Sequence, residues 1–100
     1  MSIPRGTTPT FTLTFPETID LTTANLVYVT FTSGTNSVTK TGDDLIVLEH
    51  QIDVYLSQQD TLMFHEGVVE IQANWMIGGN RISSEIAKYD ISKQLLPKVI

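Results

Sequence analysis

The chain reads as a small all-β, immunoglobulin-like antiparallel sandwich with one short helical turn between strands. Three observations predict it. Apolar and polar residues alternate with a period of two over much of the chain, as half-buried strands require. Threonine, whose branched Cβ favours strands over helices, occurs 14 times in 100 residues. Turn residues recur at short spacing between the alternating runs. The same pattern also admits a small β-barrel as the alternative.

Residues 1–100 are expected to form one domain, with an extended N-terminal arm (1–9) and an apolar C-terminal tail (94–100). The arm, "SIPRGTTPT", has two prolines and cannot pack as a helix. "TFTLTF" (Thr10 to Phe15) then alternates strictly, with Phe11, Leu13 and Phe15 on one face. Pro9 and Pro16 bracket it, which suits an edge strand. Asp20 is placed to cap a single helical turn, or else its segment is a loop. Leu26 to Ser33 is a second strand, with Val27, Val29 and Phe31 sharing a face. "GTN" turns the chain into a short polar strand, Ser37 to Thr41, and "GDD" turns it again.

Leu45 to His50 and Ile52 to Leu56 read as one kinked strand or two. Ser57-Gln58-Gln59-Asp60 matches a capping box, in which the Ser57 hydroxyl and the Asp60 carboxylate each bond the other residue's amide. It predicts a helix of about two turns that stops near Gly67, with Leu62, Met63 and Phe64 plugging the sandwich end. Val68 to Ile77 is the longest strand, with Val69, Ile71, Ala73, Trp75 and Ile77 on one face. "GGN" follows as a hairpin signal, and an even loop places Ile82, Ser84 and Ile86 on the face of Trp75. Beyond Ile86 the apolar positions change phase to Ala87, Tyr89 and Ile91, which calls for a bulge or a change of partner sheet.

Composition narrows the function. The net charge is −5 and the six basic residues are scattered, which argues against nucleic acid and anionic membrane surfaces. Absence of cysteine excludes disulfides and thiolate metal sites. "MSIPRGTTPT" has no apolar core of a signal peptide, and no run approaches the ~20 apolar residues of a membrane span.

Catalytic patterns are equally sparse. The Ser57–Asp60 stretch has no nucleophile elbow, so it reads as a cap and not a catalytic set. His50 and His65 show no metal-ligand spacing, and on a strand Glu49 and His50 point to opposite faces. Asp43, Asp44 and Asp53 lack a calcium-loop pattern and read as turn residues. The expectation is therefore no enzyme, no cofactor and no metal. Tyr28 and Tyr55 lie opposite apolar faces and are expected to be exposed, whereas Trp75 belongs to the core. Exposed, coplanar aromatics underlie the alternative of a carbohydrate-binding module for host-surface attachment. A hydrolase needs two carboxylates facing each other in a cleft.

The two ends suggest contact with other chains. Arg5, Thr8, Tyr28, Tyr55, Leu95, Leu96, Val99 and Ile100 are the candidate interface residues. Leu95, Leu96, Val99 and Ile100 have little partner structure of their own.

"PRGTTPTFTLTFP", "VTFTSG", "LSQQDTLMFHEGVVEIQANW" and "GGNRISSEIAKYDISKQLLPKVI" together span nearly the whole chain. They resemble a family of short, largely uncharacterised phage and prophage proteins of Firmicutes. The clearest marks are Arg5-Gly6-Thr7-Thr8-Pro9, Leu56-Ser57-Gln58 with Asp60-Thr61-Leu62, Ile71-Gln72, Ser84-Glu85-Ile86 and Val99-Ile100. The pattern is also similar, less specifically, to the N-terminal sandwich of phage upper-baseplate proteins. The resemblance implies a virion structural or assembly protein of the baseplate or tail. It would be made in the host cytoplasm and would act with other phage structural proteins, as a homo-oligomer or part of a larger assembly.

Overall fold

The computed structural model describes residues 2–93, 95 and 98–100. Among them, nine strands form two sheets. They are β1 (Ser2–Pro4), β2 (Thr10–Thr14), β3 (Leu26–Ser33), β4 (Asn36–Thr41), β5 (Leu45–Val47), β6 (Gln51–Tyr55), β7 (Gly67–Ile77), β8 (Asn80–Ser83) and β9 (Ala87–Ser92), with helix α1 (Gln58–Leu62) between β6 and β7. The larger sheet has the order β1-β9-β7-β3-β4, with β8 also on β7, and the smaller has the order β2-β6-β5. This is an all-β sandwich with immunoglobulin-like strand order.

The alternation read from the sequence explains the packing. Val29 and Phe31 of β3 lie against Ile71 and Ala73 of β7, and all four are buried. Ile52 and Val54 of β6 and Phe11 of β2 close the core from the smaller sheet. Phe31 stacks on Phe64 with centroids 6.0 Å apart and meets the edge of Phe11 at 5.5 Å. Phe15 meets Trp75 edge-on at 5.4 Å. Such aromatic pairs add to the area they bury.

Turn chemistry sets the hairpins. Ser33 pairs with Asn36 and Ile77 with Asn80, so each loop has two residues. Gly34 and Gly78 hold φ +60° and +61° at the first loop position, as a type II′ turn requires. The even loop puts Ile82 opposite Trp75. Asp20 caps the single turn Leu21–Thr23, accepting from the Thr22 amide.

The phase change is a bulge that begins before Ile86 and includes it, so Ile86 is 53% exposed and does not continue the face of Trp75 as expected. Asn74 pairs with Ser83 and Ile71 with Ala87, so Gln72 and Ala73 of β7 face three residues, Ser84 to Ile86. Ser84 bridges the irregularity: its hydroxyl accepts from the Ala73 amide at 2.9 Å, and its own amide donates to the Ala73 carbonyl at 2.9 Å. The one-residue excess turns Ala87, Tyr89 and Ile91 inward.

Several expectations need correction. The arm is not free along its length: β1 pairs with β9, and Ile3 is 3% exposed. That pair is parallel, the exception in an otherwise antiparallel fold. Of the two readings of residues 45–56, the structure has two strands, folded back on each other with Leu45 opposite Val54. The helix spans five residues and not two turns. Of its three proposed plugs, Phe64 is fully buried, Leu62 is half-buried and Met63 is exposed.

Candidate interaction surface

The polar corner at Ser57–Asp60 is built as the spacing predicts. The Asp60 amide donates to Ser57 Oγ at 3.2 Å, and the Ser57 amide donates to Asp60 Oδ2 at 2.9 Å. Local spacing carries no sign of a third partner. Lys40 Nζ, from β4, lies 2.7 Å from Asp60 Oδ2. Partial burial pushes the Asp60 carboxyl up, but Lys40 and the bonds from Ser57 outweigh it and hold the group below its ordinary value of 3.8.

The corner is therefore structural, and its pH response has a definite sign. A carboxylate with a lowered folded pKa stabilises fully above its unfolded value, and that contribution is lost as pH falls through the folded one. The stability difference between wild type and Asp60→Asn is expected to be constant above pH ~4 and to shrink below it. Ser57→Ala is expected to cost about 0.5–2 kcal/mol as a lost cap. Urea titrations at several pH values check both, and no loss in Ser57→Ala would refute the cap.

Arg5, a candidate interface residue, is drawn into this corner. Its Nη2 donates to the Leu62 carbonyl at 2.6 Å, so it fastens the arm to α1 instead of reaching outward. The Thr61 hydroxyl, fully buried, donates to the Thr7 carbonyl at 2.7 Å. Thr8 remains exposed.

Sequence reasoning also missed the histidine contacts. Glu49 and His50 lie in a turn, so strand alternation does not separate them: Glu49 Oε1 is 3.4 Å from His50 Nε2. His50 Nδ1 donates to the Ile19 carbonyl at 2.6 Å. His65 lies far along the chain beside Asn36. Asp53 accepts from Thr12 and Gln51 on the face of the smaller sheet. Among the described residues, no group of three or more His, Asp and Glu is placed to hold a metal ion.

Tyr28 and Tyr55 are exposed, at 38% and 50%. Tyr28 faces outward from the larger sheet and Tyr55 from the smaller, so they look in opposite directions and cannot form one flat platform. Trp75 is buried, as expected, and its indole N–H has no hydrogen-bond partner among the described residues. Around Tyr28, the outer face of the larger sheet carries Leu26, Met76 and Arg81. Arg81 and Ser83 both donate to Asn74 Oδ1 there.

A cleft of about 480 Å³ opens between the sheets beside β2. Leu13 and Phe15 form one wall, with Ile71, Trp75, Ile82 and Ala87 opposite. Glu85 is the one carboxylate lining it, so the paired-carboxylate arrangement of a glycoside hydrolase is not assembled there.

At the other extreme of exposure, Leu95 is 87%, Val99 50% and Ile100 82% exposed. Leu96 lies outside the described residues. Among the described residues, the Ile100 backbone is bonded by the half-buried side chain of Gln58, at 2.8 and 3.1 Å. Comparison of the chain with protein-family models, curated proteins and solved structures finds no match.

Proposed function

We propose that this chain is a non-catalytic virion structural or assembly module of a phage or prophage, associated with the baseplate or tail. It acts through protein–protein contacts. The observation that carries the reading is the exposure of three large apolar side chains near the C-terminus, Leu95 at 87%, Val99 at 50% and Ile100 at 82%. Water-exposed leucine and isoleucine at that density fit a segment that is covered in an assembly. The polar residues of the α1 corner support the same reading, because their hydrogen bonds serve the fold. The family resemblance supplies the phage setting.

Light scattering of the purified chain at micromolar concentration, alone and with the products of neighbouring genes, tests this. The expected outcome is a mass above the 11.1 kDa monomer in at least one of these samples. A strict monomer that binds none of them overturns the reading.

A further inference from the structure

We propose that the open edge of β2 accepts an extended strand from a second copy of this chain, namely its segment from Lys93 to Ile100. The inference rests on the assembly reading above and names the surface and the partner.

The register of β2 identifies the open edge. The Leu56 amide donates to the Pro9 carbonyl, and the Phe15 amide donates to the His50 carbonyl. Residues 9, 11, 13 and 15 therefore direct their backbone groups at β6. In an antiparallel pair the alternate residues point the other way. Thr10, Thr12 and Thr14 thus present their N–H and C=O groups on the far side, where β2 has no sheet neighbour among the described residues. Edge strands are commonly guarded by charge or by covering elements. From Thr7 to Pro16 there is no charged residue at all.

Two clefts, of about 480 and 330 Å³, lie beside that edge. The larger sheet continues past β2, so Ile3, Ala87 and Tyr89 floor the groove while Phe11, Leu13 and Phe15 form its wall. A single extended segment laid along this edge would offer main-chain bonds to the threonines and alternate apolar side chains to the groove.

Charge and length select the occupant. Two of the six basic residues, Lys93 and Lys98, fall in the last eight positions, and all eleven acidic residues precede them. The side chains of residues 93–100 therefore carry +2 and those of 1–92 carry −7. The segment is rich in apolar residues, is exposed at its described residues (93, 95 and 98–100) and is opposite in charge to the body it would join. The eight residues span about 26 Å when extended, enough to cover the roughly 17 Å of the five-residue β2. Donation from one copy to the next is a head-to-tail contact, which closes into a ring or propagates as a filament.

Complementation tests this with the full chain and two variants, each checked for folding by circular dichroism. One variant ends at Gln94 and keeps its edge. The other, Thr12→Pro, keeps the segment and removes an edge N–H that the fold does not use. Wild type is expected to gain mass with concentration to at least twice 11.1 kDa, and each variant alone to stay at the mass of its own monomer. An equal mixture of the two is expected to stop at a heterodimer. If Thr12→Pro fails to fold, a synthetic peptide of residues 93–100 is titrated into the shortened chain, with NMR shifts expected at Thr10, Thr12 and Thr14. A shortened chain that associates like wild type, or a peptide that leaves those amides unmoved, overturns the inference. A monomeric wild type that binds a neighbouring gene product overturns it while the assembly reading stands. A monomer that binds nothing overturns both.

Discussion

Deletion of Glu85 is expected to abolish cooperative folding. Three residues, Ser84 to Ile86, oppose two on β7, and that excess alone brings both β8 and β9 into correct phase. With one residue removed, either β9 slips by one position or the β7–β8 hairpin does. Since side chains alternate faces, a slip of one moves an entire set from core to solvent. If β9 slips, Ile91, now 4% exposed, turns outward together with Tyr89 and Ala87. Exposing two large side chains costs about 1.5–3 kcal/mol each, a large share of the ~5–15 kcal/mol that holds a domain together. Tyr89 also loses its edge contact with Phe11 at 5.2 Å. Near-ultraviolet circular dichroism and urea titration read the result. A sharp transition within about 1 kcal/mol of wild type would mean that the bulge does not set the phase of β9.

Phe31→Ala is expected to cost about 3–5 kcal/mol, the range for emptying a buried aromatic site. Phe31 is fully buried at the centre of the larger sheet and contacts both Phe64, below α1, and Phe11 of the opposite sheet. Its loss uncouples the two sheets and the corner together. A domain of this size loses about 4–8 °C of melting temperature per kcal/mol, so the fall is readily measured. Tyr28→Ala on the same strand removes a ring that faces solvent, and is expected to cost much less. Equal losses in the two variants would contradict the assignment of inner and outer faces of β3.

These two expectations rest on the part of the fold that the sequence states most clearly. Alternation placed the core residues of β3, β6 and β7, because each of those strands has one buried face. Hairpin parity and the phase change at Ile86 followed from the same period of two. The capping box and the Asp20 cap depend on contacts within three residues, so spacing alone reveals them.

What spacing could not show depends on distant segments meeting. β1 is three residues long and pairs with β9 from the other end of the chain, with no alternation of its own to announce it. Arg5 reaches Leu62 and Lys40 reaches Asp60 only because the sheets bring them together. Glu49 and His50 are close because the β5–β6 connection is a turn, which an unbroken strand would have forbidden. The open edge of β2 was legible in outline from its bracketing prolines. Which of its residues offer free backbone groups became clear only from the register with β6.

The central claim, that this sandwich works by contact along its exposed edges, is most directly tested by amide hydrogen exchange along β2 over a range of protein concentrations. Phe11 and Leu13 point their amides at β6 and should exchange slowly at every concentration. Thr10, Thr12 and Thr14 should exchange quickly when dilute and become protected as concentration rises. Rapid exchange at these three threonines, unchanged up to the highest concentration that stays in solution, would contradict the account.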